Sequence, residues 1–207
     1  MPNPEQALWQ ASRGNNLPSL LHLLQTYPSL NPNWANPAAS YTSALHVAAK
    51  EGHVRIVEVL MAVPAVDLNR VNINGSSPLL CAVWGGQPEV LRIFLKDPQV
   101  DVNLPDSRGA TPLWLAASLG QLYAVQLLLS FRVNVNPHIG AVGGGTPLDV
   151  ARRKRRTQVA ELLERFMADP DRTRRELRLD PRLAPVFATE LFASLVFLCD
   201  GHLALQH

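Results

Sequence analysis

The sequence has little cysteine, little net charge and no long apolar run. Cys81 and Cys199 are its only cysteines, which excludes a disulfide framework and suits a reducing compartment. A net charge of +2 argues against strong binding of polyanions, so nucleic acid is not an expected partner class. The most apolar stretch, 191–199, has nine residues, whereas a membrane-spanning helix needs about 20. The N-terminus "MPNPEQALWQ" does not resemble a signal peptide. We therefore predict a cytoplasmic protein, with the nucleus as the alternative location.

Motifs that carry chemistry are also missing. The sequence contains no Walker loop, dinucleotide fingerprint, G-x-S-x-G, H-x-x-x-H or C-x-x-C pattern. "GAVGGG", 140–145, is rich in glycine, but the Lys-Ser/Thr of a phosphate-binding loop does not follow it. We predict a protein that is not an enzyme and that has no catalytic residue, no metal site and no cofactor.

What the sequence does contain is a repeat. "SALHVAAKEGH" begins at Ser43, "SPLLCAVWGGQ" at Ser77, "TPLWLAASLGQ" at Thr111 and "TPLDVARRKRR" at Thr146. The intervals are 34, 34 and 35 residues, and each stretch leads into a second apolar run such as "VRIVEVLM" or "PEVLRIFL". A period of this length is typical of stacked helical repeats.

Each repeat can be interpreted residue by residue. Ser or Thr followed by Pro is a favourable helix start. Leu79 and Ala82 lie three residues apart on one helical face. Glycines follow the first helix at positions that suit a left-handed C-cap: Gly52, Gly86 and Gly120. The second helices are expected to bury two sets of apolar residues: Val90, Leu91 and Phe94, and Val125, Leu128 and Leu129.

This pattern resembles the ankyrin repeat, whose signature is T-P-L-H-x-A. The resemblance covers about residues 5–166 and implies an all-α solenoid of four to five helix-turn-helix units with β-hairpin-like loops. We expect an array over 1–167, with units starting near 5, 43, 77, 111 and 146, and a helical extension over 168–207. The first unit, 7–24, lacks the Thr-Pro start, and Arg155 replaces the C-cap glycine of the fourth complete motif.

The resemblance also suggests where a partner binds. Trp84 follows the core positions of its helix, at a place that faces the concave groove in ankyrin proteins; the alternative is that it lies flat on a neighbouring helix. Cys81, by contrast, is interpreted as a small core residue, and His46 as a ring that bonds the hairpin backbone. The predicted partner-binding residues are Trp84, Lys50, Glu51, Ile73, Asn74, Ser107, Arg108, Ser118, Leu119, Arg153 and Lys154.

The C-terminal third is the most basic part of the chain. Residues 150–207 hold 11 of the 19 Lys and Arg residues, including "RRKRR" at 152–156. This run is either an import signal, a site for an acidic partner, or a solvated helix end.

Two helices are predicted after the repeats. The first, 169–179, opens at Asp169-Pro170. The second, 184–200, is expected to cap the array or to bind another chain. In the capping arrangement Leu191, Leu195 and Leu198 would face residues of the last repeat: Val159, Leu162 and Leu163.

Two functions follow from these observations. The favoured one is a non-catalytic scaffold that binds an unidentified protein in its groove. The alternative is a ubiquitin-ligase adaptor, because "SLVFLCDGHL", 194–203, resembles an elongin-C-binding box. A third hypothesis, drawn from the ankyrin resemblance, is asparagine hydroxylation at Asn69, Asn103 or Asn136.

Overall fold

The computed structural model describes residues 3–131 and 145–183. Within these ranges the protein is all-helical, with no β-strand and an isolated bridge between Asn36 and Thr42. A short 3₁₀ helix lies at Pro37–Ala39. The α-helices are α1 (Pro4–Arg13), α2 (Leu17–Thr26), α3 (Ala44–Glu51), α4 (Val54–Met61), α5 (Pro78–Trp84), α6 (Pro88–Lys96), α7 (Pro112–Leu119), α8 (Leu122–Ser130), α9 (Pro147–Arg153), α10 (Thr157–Ala168) and α11 (Pro170–Leu179).

Helices α1 to α10 form five consecutive helix pairs. The first helix of each pair contacts the first helix of the next, from α1 through α9, and second helices α2 to α8 contact one another in the same order. The predicted all-α architecture of stacked helix pairs is therefore confirmed. No helix in the described ranges is both long enough and apolar enough to cross a bilayer.

Hydroxyl side chains start the first helices, as the Ser/Thr-Pro pattern predicts. The Ser77 hydroxyl accepts a hydrogen bond from the Leu80 amide at 3.2 Å, and the Thr111 hydroxyl accepts one from Trp114 at 3.3 Å. In α9 the cap is reciprocal, because the Asp149 carboxylate also accepts from the Thr146 amide at 2.7 Å. Each bond satisfies a backbone donor that the helix itself leaves free.

Left-handed residues end the first helices. Gly52 and Gly120 are left-handed C-caps with φ of 78° and 76°. Gly86 also has a positive φ, 67°, but α5 ends one residue earlier than predicted, with Gly85 as its C-cap in right-handed geometry. Arg155, which replaces glycine after α9, adopts a φ of 57°. In the first pair Asn15 rather than Gly14 is left-handed, with a φ of 53°.

The core lies between successive repeats. Leu79 and Ala82 of α5 are buried, and so are the predicted apolar residues of α6 and α8. Three small residues at one position of α3, α5 and α7 have no exposed surface, which lets these helices approach closely: Ala48, Ala82 and Ala116. Each helix pair therefore depends on its neighbours for burial.

Asparagine side chains connect successive repeats in the loops after α2 and α4. The side-chain nitrogen Nδ2 of Asn69 donates to the Gln99 backbone carbonyl at 2.7 Å, and the side-chain oxygen Oδ1 accepts from the Asp101 backbone amide at 2.7 Å. Asn33 makes the same pair of bonds one repeat earlier, to Ala65 and Asp67. Both polar atoms of Asn69 are thus engaged, while Asn136 lies outside the described residues and hydroxylation stays a prediction.

The chain divides into two compact units, Met1–Glu164 and Arg165–His207. In the second unit α11 starts as predicted, because the Asp169 carboxylate accepts a hydrogen bond from the Arg172 amide at 3.0 Å. Glu176 accepts from the guanidinium groups of Arg172 at 2.9 Å and Arg165 at 2.6 Å. These bonds, that of Arg172 first, lower the pKa of the Glu176 carboxyl.

Several predictions concern residues outside the described ranges. They are the helix at 184–200 with Leu191, Leu195 and Leu198, the box-like segment 194–203, and most of the glycine-rich segment 140–145. The residues expected to receive the helix are buried: Val159, Leu162 and Leu163. The capping role of the helix, and the division of the chain at residue 167, stay predictions.

The close approach of α3 and α5 gives a testable consequence at Gly85. A Cβ at Gly85 would lie 2.0 Å from the Lys50 carbonyl oxygen, whereas at Gly86 the nearest atom would be 3.6 Å away. Gly85→Ala should therefore destabilise the fold by about 3 kcal/mol through overpacking. Gly86→Ala should cost about 1 kcal/mol, from the positive φ alone. Denaturant unfolding measures both changes, and equal costs would show that the two helices are not in this contact.

Candidate functional site: the concave groove

A cavity of about 820 Å³ runs along the first helices and the loops that precede them. Three loops contribute, and we call them the fingers: residues 38–42, 72–76 and 106–110. Together with the helices they form what we call the groove. Its helical lining consists of Trp9 and Arg13 of α1; His46, Val47, Lys50 and Glu51 of α3; Leu80, Cys81 and Trp84 of α5; and Leu115 of α7.

Most of the predicted partner-binding residues line the groove. These are Lys50, Glu51, Ile73, Asn74, Trp84, Ser107 and Arg108. Four do not: Ser118, Leu119, Arg153 and Lys154. Ser118 has the same position in its repeat as Trp84, but its short side chain is only 4% exposed. Arg153 and Lys154 are exposed at the end of α9, beyond the part of the array that forms the cavity.

Two of the exposed large apolar side chains line the cavity. Trp84 is 57% exposed at the end of α5, so more than half of its surface is accessible to solvent. Ile73 is 64% exposed on the middle finger. Isolated exposed apolar residues are common on proteins, but these two line the same cavity from a helix and from a finger.

The fingers are held to one another by backbone hydrogen bonds. The Ile73 amide donates to the Ser40 carbonyl at 3.1 Å, and the Ser107 amide donates to the Asn74 carbonyl at 3.0 Å. Within the middle finger, the Asn72 side chain accepts from the amides of Asn74 and Ser76 at 2.9 and 3.0 Å. The fingers therefore form one continuous wall of the groove.

His46 joins the floor of the groove to this wall. Its Nε2 lies 3.0 Å from the Ser76 carbonyl oxygen, to which it donates. Its Nδ1 then accepts from the hydroxyl and amide of Ser43, at 2.8 and 3.2 Å. Burial lowers the pKa of His46 to about 4, so the ring is neutral at pH 7. The predicted bond to the hairpin backbone is confirmed.

Cys81 belongs to an apolar strip on the groove floor. Val47 and Leu115 have the same position in the adjacent repeats, and all three residues are 8% exposed. Burial raises the pKa of the Cys81 thiol to about 12, which is the opposite of what a nucleophilic cysteine requires. Cys81 is thus a small buried residue, as predicted, and it lines the floor of the groove.

The charges of the groove are mixed. Arg13 lies over the Trp9 ring, with its guanidinium carbon 5.6 Å from the ring centroid. Arg108 pairs with Asp106 at 3.3 Å. Lys50 and Glu51 are exposed and adjacent in α3. Across residues 3–131 and 145–183, no three or more His, Cys, Asp or Glu residues are grouped as metal ligands would be.

The basic run 152–156 is exposed at the end of α9 and in the turn after it. Arg152 donates to Glu164 at 2.7 Å. Arg156 packs beside Gly120, where its Cδ would lie 2.7 Å from an added Cβ. The choice among the three interpretations of the run stays a prediction.

The family is decided by comparison with known proteins. Residues 8–106 and 98–174 match the sequence model described as "Ankyrin repeats (3 copies)". The chain is an ankyrin repeat protein. No curated protein matches its sequence. Ankyrin repeats are generally protein–protein interaction modules and typically non-catalytic, so the groove of this ankyrin array is a candidate interaction surface.

Some groove residues of the ankyrin array were not predicted from the sequence. Trp9 and Arg13 belong to the degenerate first repeat, and Leu80 stands where the family has histidine. A usable signal existed for Arg13. Its spacing of two residues from Ala11 equals that of Lys50 from Ala48 and of Trp84 from Ala82.

The buried neutral His46 makes stability depend on pH. Its folded-state pKa of about 4 lies below the usual 6.5, so the unfolded state binds more protons and stability falls as the pH drops from about 6.5 to 4. Between pH 7 and pH 5 the wild type should lose about 2 kcal/mol more than His46→Gln. Denaturant unfolding at both pH values tests this. Equal losses in the two proteins would show that His46 is not the group responsible.

The environment of Cys81 predicts slow alkylation. A thiol pKa of about 12 instead of 9 lowers the thiolate fraction at pH 8 by about a thousandfold, and burial slows reagent access further. Iodoacetamide should modify the Cys81 peptide quickly only in denaturant, as followed by mass spectrometry. Labelling of the folded protein at the rate of a free thiol would contradict a buried, inert Cys81.

Proposed function

We propose that this protein is a non-catalytic scaffold whose groove binds an extended segment of a partner protein. The observation that carries the proposal is the exposure of Trp84 and Ile73 in one cavity. Tryptophan is enriched among the residues that contribute most to protein–protein binding, since it buries a large surface at a small entropic cost.

The surroundings of these two residues support the same function. The strip formed by Val47, Cys81 and Leu115 gives the groove an apolar floor. Polar finger residues such as Asn74 and Ser107 border it and are able to hydrogen-bond a backbone laid along the wall. An apolar centre with a polar border is the usual composition of protein interfaces.

The ubiquitin-ligase adaptor is a different hypothesis and depends on another part of the chain. Its box-like segment, 194–203, lies outside the described residues, so no observed geometry favours it over the scaffold. Co-purification of elongins B and C with the full chain would support an adaptor role. If elongins B and C do not co-purify, the adaptor hypothesis fails and the scaffold function remains.

Trp84 provides the direct test of the scaffold function. Peptides selected from a random library against the full chain should bind Trp84→Ala about thirtyfold more weakly, which corresponds to about 2 kcal/mol. The melting temperature should change little, because the side chain is 57% exposed. Isothermal calorimetry measures the affinities.

Leu179→Ala is the matched control, since Leu179 is a large apolar residue that is 76% exposed on α11. It should leave peptide affinity unchanged. Selected peptides that bind Trp84→Ala and the wild type equally would rule out the groove as the binding surface. A large fall in the melting temperature of Trp84→Ala would show instead that the residue stabilises the fold.

A further inference from the structure

Three successive repeats place side chains in one row along the groove. Arg13 is the last residue of α1, Lys50 lies in the last turn of α3, and Trp84 ends α5. Each of them lies two positions after a small buried residue of its own helix. These small residues are Ala11, Ala48 and Ala82. All three side chains line the groove.

Contacts between the helix ends fix the register of this row. The His53 ring, just after α3, hydrogen-bonds the Arg13 carbonyl oxygen through Nε2 at 3.0 Å. Gly85, just after α5, abuts the Lys50 carbonyl, which a Cβ would approach to 2.0 Å. The ends of α1, α3 and α5 are therefore adjacent, and packed helices are separated by about 8–10 Å.

Two of the three positions are cationic. Within the described residues neither Arg13 nor Lys50 forms an ion pair with a carboxylate. The groove also holds two carboxylates, but Asp106 is bonded to Arg108. Glu51 follows Lys50 in α3, so it is rotated from the row by about 100°. Along the row, two cationic side chains are therefore followed by one exposed indole.

The spacing of the row matches an extended peptide. A segment in the extended polyproline II conformation advances about 3.1 Å per residue and has three residues per turn, so the helix separation of about 8–10 Å corresponds to roughly three residues, or one turn of the segment. A segment lying across the helices would present every third side chain to the row. Carboxylates suit Arg13 and Lys50, whereas an apolar side chain suits Trp84 and Ile73, which lines the same cavity.

We propose that the groove recognises an acidic, extended segment with two carboxylates three residues apart and an apolar residue three further along. This specificity rests on the proposed scaffold function and adds to it the chemistry of the partner. Arg13 and Lys50 pair with the acidic residues of the segment, and Trp84 packs against the apolar one. Either direction of the peptide places its middle carboxylate against Lys50.

Synthetic peptides test the spacing. The probes are Glu-Ser-Gly-Glu-Ser-Gly-Leu and its reversed sequence, each with capped ends and a fluorescent label, measured by anisotropy against the full chain. At least one should bind about tenfold more tightly than Glu-Glu-Ser-Gly-Ser-Gly-Leu, which has the same composition. The preference should weaken as the salt concentration rises toward about 1 M. Equal affinities, or no binding of either probe, would overturn the proposal.

A charge exchange tests the role of Lys50. Lys50→Glu should weaken the better probe about tenfold, and a probe with Lys as its middle charge should restore the affinity for this variant. Lys96→Glu is the control, because Lys96 is exposed at the end of α6 and does not line the groove. If Lys96→Glu matched the effect of Lys50→Glu, the attraction would be one of overall charge and the proposal would fail.

Different results would overturn the acidic specificity and the scaffold function. Library-selected peptides that require Trp84 but lack this spacing of carboxylates would overturn the acidic specificity and leave the scaffold function intact. Selected peptides that are insensitive to Trp84→Ala would overturn the scaffold function as well. The same library selection therefore separates the two results.

Discussion

No helix pair of this protein can bury its apolar face alone, and the rest of the structure follows from that constraint. Ala48, Ala82 and Ala116 are fully buried because the first helices pack closely against one another. The second helices bury larger residues, such as Phe94 and Leu128. Hydrogen bonds from Asn33 and Asn69 to the following repeat fix the register. Stacking thus supplies the core and sets the alignment of the repeats together.

The groove is a consequence of the same stacking. Positions that face it recur once per repeat, so the chain presents rows of side chains rather than a single enclosed pocket. One row, Val47, Cys81 and Leu115, is uniformly apolar and nearly buried. A second row consists of Arg13, Lys50 and Trp84, so its side chains change from cationic to aromatic along the groove. Where the fold makes positions equivalent, the differences between their residues carry the specificity.

The repeating part of the fold could be predicted from sequence because its signals are local. Thr-Pro starts, glycine ends and apolar spacing each act within one or two helical turns. Exposure was harder to predict, since it depends on side-chain length and on neighbours. Ser118 shares the position of Trp84 yet is buried. Arg13 was missed because its repeat lacks the usual start, although its distance from Ala11 equals that of Lys50 from Ala48.

Hydrogen exchange of the full chain, with and without a selected peptide, tests most directly whether the concave face is the binding surface. Binding of the peptide should slow exchange in the fingers, 72–76 and 106–110, and at the ends of α3 and α5. Exchange in the second helices α4 (Val54–Met61) and α6 (Pro88–Lys96) should be unchanged. Slower exchange confined to those second helices, with the fingers unaffected, would contradict binding at the concave face.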